Sequence, residues 1–285
     1  MTPHASRPTP AFGRRARPAF VVALAEQLTE REWSVMETVN RLRLVTGLQL
    51  ERLHFAELRG KSRSVVRWRV LKRLVDAQVL MPLARRVGGG LRGSAQLVYA
   101  LDVAGERLLR LRRNLRAEEN RIRRPAPIGD RFVAHTLATS ELYVQLVERS
   151  GEDVTAMEFL AEPASWWPNG AGGWLKPDAY LSISAGEVTD HWWVEVDLAT
   201  EAVPTLRGKF LAYLDFVAQG QLGPAEVVPR VLVTVPTEAR YAVMTSLIPR
   251  LPTPAAELFS VALHDQAAAA LVAELRTADN GPAHG

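Results

Sequence analysis

The chain has 285 residues, 47% of them hydrophobic and 23% charged, with a net charge of +4. This is length enough for two domains of ordinary size, and the composition is that of a globular protein. With no cysteine it has neither a disulfide framework nor a thiolate metal site, and no apolar run approaches the roughly 20 residues that span a bilayer.

The net charge hides an asymmetry. Residues 1–130 hold 26 of the 35 Lys and Arg but 12 of the 31 Asp and Glu, a balance of +14, which leaves −10 for residues 131–285. Such a split points to a polyanion partner for the first half. At the start, Arg14, Arg15 and Arg17 precede Phe20-Val21-Val22-Ala23-Leu24-Ala25. That outlines a signal peptide, but the apolar part is short and Glu26 ends it without a cleavage site. Residues 1–27 are therefore expected to be a disordered basic arm on a cytoplasmic protein.

Leu28-Thr29-Glu30-Arg31-Glu32 reads as an N-cap threonine with an acidic first turn. Trp33, Met36, Val39, Leu42 and Leu44 follow at near-helical spacing, and Gly47 is expected to end that helix. A second helix is expected over 50–58 and a third over 61–77. In the third, Val65, Trp68, Leu71, Leu74 and Val75 are expected to be buried, while Lys61, Arg63, Arg67, Arg69, Lys72 and Arg73 crowd the rest. A basic helix of this kind suits the major groove of duplex DNA; a solvated arginine face is the alternative. Strands at 79–83 and 97–101 enclose Arg85, Arg86, a glycine run and Arg92, a basic hairpin tip able to meet phosphates. Three helices and such a hairpin predict a winged helix-turn-helix over residues 28–117. A basic, proline-bearing linker over 118–130 follows.

The second half, 131–277, reads as helix, three strands, helix and a buried strand at 230–235, then further helices and a strand before a frayed tail at 278–285. This is the order of a restriction-endonuclease-like, PD-(D/E)XK α/β domain. Pro177-Asp178 and Glu195-Val196-Asp197 fall on the second and third strands, and pairing of those strands would set Asp178 beside Glu195. Strand alternation puts Glu195 and Asp197 on one face. Two carboxylates in an apolar stretch are costly unless a cation or a network answers them, and Asp178 with Glu195 could hold Mg²⁺. The position that carries lysine in active enzymes of this type is Asp197. Lys209, in the following helix, is the substitute, with Glu141 and Glu201 as further acidic candidates. Each also has a plain alternative: Asp178 as a turn residue, Glu195 and Asp197 as the solvent face of an edge strand, and Lys209 as an ordinary exposed lysine. His135 reads as a hydrogen-bonding helix residue.

Several short stretches, in order, resemble the replication-relaxation family. They are Leu28-Thr29-Glu30-Arg31, residues 69–74, residues 93–101 with Gly105, His135-Thr136-Leu137-Ala138, Leu142-Tyr143, Lys176-Pro177-Asp178-Ala179-Tyr180, Glu195-Val196-Asp197, Thr200-Glu201, Lys209 and Tyr213. The resemblance implies a winged-helix DNA-binding domain fused to a nuclease-like domain, encoded on plasmids or integrated elements of actinobacteria and other Gram-positive bacteria. It carries Asp178, Glu195, Asp197, Glu201 and Lys209 as the family's polar signature. Ser140 stands where the family usually has Asn, and the basic residue expected near Leu198 is missing. Three functions follow as expectations. The first is a duplex-DNA-binding protein, single or paired with a second copy, that brings replication or transfer proteins to a mobile element, its nuclease-like half inactive or weakly active. The others are a Mg²⁺-dependent endonuclease or nickase, and a winged-helix transcriptional regulator.

Overall fold

The computed structural model describes residues 18–87, 96–113, 129–151 and 154–279. It begins with a helix, α1 (Pro18–Ala25), whose Val21 and Leu24 are buried. The expected disordered arm is thus helical from Pro18 on, because its apolar run finds a core to cover. α2 (Glu30–Leu42) opens on a capping box: the Thr29 hydroxyl accepts the Glu32 N–H, and the Glu32 carboxylate accepts the Thr29 N–H. α2 stops at Leu42, with Arg43 at φ 68°. Gly47 ends nothing. It opens α3 (Gly47–His54), because Thr46, the last residue of the short strand β1 (Val45–Thr46), forms a second capping box with Gln49.

α4 (Gly60–Asp76) departs from its expected orientation. Leu71 and Leu74 are buried and Val66, Val70 and Val75 partly so, but Val65 and Trp68 are 44% and 60% exposed. Val66, Val70, Leu71 and Leu74 form the inward face instead, and Glu51 of α3 meets the arginines that turn inward with them. It draws Arg67 Nη1 to 2.9 Å, and its carbonyl accepts from Arg63 Nη2. With Arg63 and Arg67 inward, the buried stripe is rotated by about one residue, roughly 100°.

β2 (Leu80–Val87) and β3 (Gln96–Leu101) form an antiparallel hairpin with β1 on the far side of β3. The register slips between Pro82 and Arg86, next to a proline that has no N–H to donate. Arg85 and Arg86 lie on β2; Arg92 and the glycine run lie outside the described residues. α5 (Val103–Arg112) is capped by Asp102. At Gly105 a Cβ would come within 2.5 Å of the Val79 carbonyl, so only glycine lets α5 approach the strand so closely.

In the second half, α6 (Asp130–Ser150) leads to β4 (Ala156–Ala161), a two-stranded hairpin of β5 (Trp167–Pro168) and β6 (Trp174–Leu175), then β7 (Ala179–Ala185) and β8 (Val188–Val196). α7 (Val203–Ala218), β9 (Arg230–Val235), α8 (Glu238–Leu247), α9 (Ala255–Leu258), β10 (Phe259–Leu263) and α10 (Ala267–Asp279) complete it. The five-stranded sheet runs β10-β9-β8-β7-β4. The β4-β7-β8 meander is antiparallel, and β9 and β10 are parallel to β8. Alternation divides β8 cleanly. Trp192, Val194 and Val196 join Leu146 of α6 and Leu271 of α10 in one core, while Trp193 joins Phe210, Tyr213 and Phe216 of α7 in the other. The protein is therefore a mixed α/β chain with helices on both faces of a mixed sheet. Among the described residues no helix is long and apolar enough to cross a membrane.

The two halves share a core. Val35, Met36 and Val39 of α2 belong to the same apolar cluster as Tyr143 and Phe159, and Leu44 and Val98 meet Val133 and Leu137 in another. Polar contacts reinforce the junction. Ser140 Oγ donates to the Leu44 carbonyl at 2.7 Å, Arg41 donates to the Tyr143 hydroxyl, and Arg43 pairs with Glu162. Arg52 spans Glu141 and Glu148. Part of the charge asymmetry read from the sequence is thus answered inside the molecule.

Candidate functional site

Asp178 directly precedes β7 and Glu195 lies near the end of β8. The ladder pairs Ala179 with Val194, so one step further Asp178 stands across from Glu195. Asp178 N–H donates to the Val194 carbonyl at 2.9 Å, and the Val196 N–H donates to Asp178 Oδ2 at 2.7 Å. Both carboxylates are buried and line one cleft of about 600 Å³, with Phe132, His135, Glu201 and Lys209 on its walls.

Each acid meets donors of the chain itself. His135 Nε2, from the first third of α6, lies 3.1 Å from Asp178 Oδ2. Tyr213 of α7 donates to Glu195 Oε1 at 2.5 Å. One turn earlier on α7, Lys209 Nζ lies 3.6 Å from Glu195 Oε2 and 3.2 Å from Glu201 Oε2. Arg131 holds Glu201 from the other side at 3.2 Å. Burial, then the charge of Asp178, pushes the Glu195 carboxyl up to about 8, while Lys209, Tyr213 and His135 pull the other way. The bond to Asp178 raises His135 above the usual imidazole value against the opposing effect of burial. Burial lowers Lys209, but the charges of Glu195, Asp178 and Glu201 outweigh it and the ammonium is raised. Burial, then Glu195, drives the Tyr213 phenol well up.

Asp197 takes a separate path. Arg240 of α8 grips it with Nε at 2.5 Å and Nη2 at 3.3 Å, and the Ala199 N–H donates to Oδ1. Arg240 Nη2 also donates to the Glu201 carbonyl. One guanidinium therefore pins the whole 197–201 turn that presents Glu201 to Lys209.

Glu141 is not at this site. It lies six residues beyond His135 on α6, which turns it to another face, where it accepts from Arg52 and Gln49 of α3. Arg240 went unseen in the sequence. It lies 43 residues past its partner on a helix after a parallel crossover, with no local spacing to reveal it. Tyr213 was not singled out as a site residue in the sequence; its helical spacing from Lys209, one turn, was the usable signal.

Mg²⁺ takes ionised oxygens and keeps several waters. Here Asp178 Oδ2 is filled by Val196 and His135, Glu195 Oε1 by Tyr213, and Asp197 by Arg240 and Ala199. Burial, then the charge of Asp178, raises the Glu195 carboxyl above the usual carboxylate range. Among the described residues no three His, Asp or Glu side chains form a group suited to a metal ion. A Mg²⁺ ion between Asp178 and Glu195 would have to compete with Lys209 for Glu195 Oε2.

Fold and site together define a class: a mixed α/β protein that sets a helical, basic first half against a sheet with a self-answered acid pair at one end. Residues 36–231 match the model of the family described as replication-relaxation. The match covers more than half the chain, and the protein belongs to that family. No curated protein and no solved structure matches it significantly.

Proposed function

We propose that the protein is a duplex-DNA-binding component of a mobile element, acting in its replication, relaxation or transfer, with a winged-helix first half and a PD-(D/E)XK-like second half that does not cut DNA. Two lines of support stand behind this reading. From α2 onward the element order is three helices and a hairpin, then, after α5, a helix, a three-strand meander, a helix and a parallel strand. The outer face of α4 leaves Lys61, Arg69 and Lys72 turned to solvent, where phosphates could meet them. Among the cations expected to meet DNA, Arg63 and Arg67 are instead withdrawn onto Glu51.

The single observation that carries the silent-nuclease part is the Asp197–Arg240 clamp beside an acid pair already occupied by Tyr213, Lys209 and His135. A scaffold of this kind commits its acids to the chain's own cations and donors rather than to a metal ion that would assist hydrolysis. Two measurements on the purified chain test the reading. Titration with labelled duplex should show binding whose affinity falls steeply with salt. Supercoiled plasmid incubated with Mg²⁺ or Mn²⁺ should stay intact. Nicking that is lost in Asp178→Ala would establish the nickase alternative instead.

A further inference from the structure

The face of α4 that the fold leaves outward is not simply basic. Lys61, Val65, Trp68 and Lys72 follow one another at spacings of four, three and four, a single solvent-facing stripe, with Arg69 beside it. Val65 and Trp68 are 44% and 60% exposed. The helix carries no acid before Asp76, and the one acid that faces it from α3, Glu51, is engaged by Arg63 and Arg67. The apolar centre thus lies between cationic ends whose one negative neighbour is Asp76, paired with Lys72 at the exposed end of the helix. Keeping a tryptophan in water forgoes a large burial gain, so this residue points to a ligand with an apolar feature inside a polyanionic frame.

Duplex DNA offers that pairing in the major groove. Thymine C5-methyl groups are its apolar feature, and they lie between two rows of phosphate. We infer that Val65 and Trp68 read thymine methyls in the major groove while Lys61, Arg69 and Lys72 hold the flanking phosphates, giving the protein a preference for A·T-bearing sites. This deepens the proposed DNA binding and rests on it. The contact is apolar, so it discriminates by a methyl group and leaves the charge count unchanged.

The test uses two duplexes that differ only in that methyl. One is a short duplex of alternating dA and dT; in the other every dT is replaced by dU. The wild-type chain should bind the thymine duplex about fourfold more tightly for each methyl it covers, the burial worth of one carbon. Trp68→Ala should bind both duplexes equally, near the affinity of wild type for the uracil duplex, with an unchanged melting temperature because the side chain lies largely in water. Lys61→Ala should weaken both duplexes by the same factor. Equal binding of the two duplexes by wild type overturns the inference, as does a methyl preference that survives Trp68→Ala. Failure to bind either duplex overturns the DNA-binding reading beneath it. A dimer in sedimentation that Trp68→Ala converts to monomer would assign this face to a second copy and overturn the inference as well.

Discussion

The outer face of α4 and the acid cleft under α7 treat charge in opposite ways. On α4 the cations Lys61 and Arg69 face water, and Lys72 meets only Asp76 at the exposed end of its own helix. In the cleft every acid is met from inside: Asp178 by His135, Glu195 by Tyr213 and Lys209, Glu201 by Lys209 and Arg131, and Asp197 by Arg240. Burial explains the contrast. Exposed charges are solvated at little cost and remain available to a partner, whereas buried carboxylates must be paired, hydrogen-bonded or protonated. The cleft uses all three devices, and so it spends on itself the charge that α4 keeps for others.

Four perturbations would break or sharpen that contrast. Arg240→Ala should be the most damaging, because it leaves Asp197 buried without its partner. A loss of about 3–5 kcal/mol in denaturant unfolding is expected, with partial recovery in the double variant that adds Asp197→Asn. If Arg240→Ala unfolds like wild type, Asp197 is not held as described.

Next comes pH. The folded state keeps the Glu195 proton up to about pH 8, while the unfolded chain loses it near the ordinary glutamate value. The folded state therefore binds more protons across that window, and stability must fall as pH rises through it. His135 acts in the same direction: its raised value gives stability that is complete below the unfolded imidazole value and lost as pH rises through the folded one. Unfolding midpoints measured between pH 5 and 9 should drop on the alkaline side. Glu195→Gln, which keeps an acceptor for Tyr213, should flatten the profile and gain on the order of 2 kcal/mol at the alkaline end. An unchanged slope in that variant would contradict the buried, proton-holding carboxyl.

Arg52→Ala removes half-exposed contacts to Glu141 and Glu148 at the junction and should cost about 1 kcal/mol, less in high salt. Limited proteolysis between the halves should quicken if the contact matters. The smallest effect on stability belongs to Lys61→Ala, Arg69→Ala and Lys72→Ala. Each should change unfolding by less than about 0.5 kcal/mol while lowering the salt slope of DNA binding by roughly one. Loss of fold in any of them would mean that α4 spends its outer cations internally after all.

Much of this organisation was legible in the sequence. Thr29 and Glu32 announce α2, the alternation around Glu195 announces β8, and Pro177-Asp178, read as part of a strand, stands just before β7. These are local signals, written in neighbouring residues. The errors arose where a distant group decided. Val65 and Trp68 fit a buried helical stripe by spacing, but the helix packs with Arg63 and Arg67 toward Glu51 instead. Glu141 lies on the expected helix, but Arg52 and Gln49 claim it. Gly47 is the local exception: it reads as a stop, but its neighbours Thr46 and Gln49 convert it into a start.

By itself the sequence determined the element types, the charge split and the meeting of Asp178 with Glu195, because periodicity and strand pairing follow from backbone geometry alone. Only the tertiary structure decided which charges remain free. Pairing across 43 residues, as between Asp197 and Arg240, or across 89, as between Arg52 and Glu141, depends on which surfaces pack together, and burial then forces each acid there to find a proton or a cation.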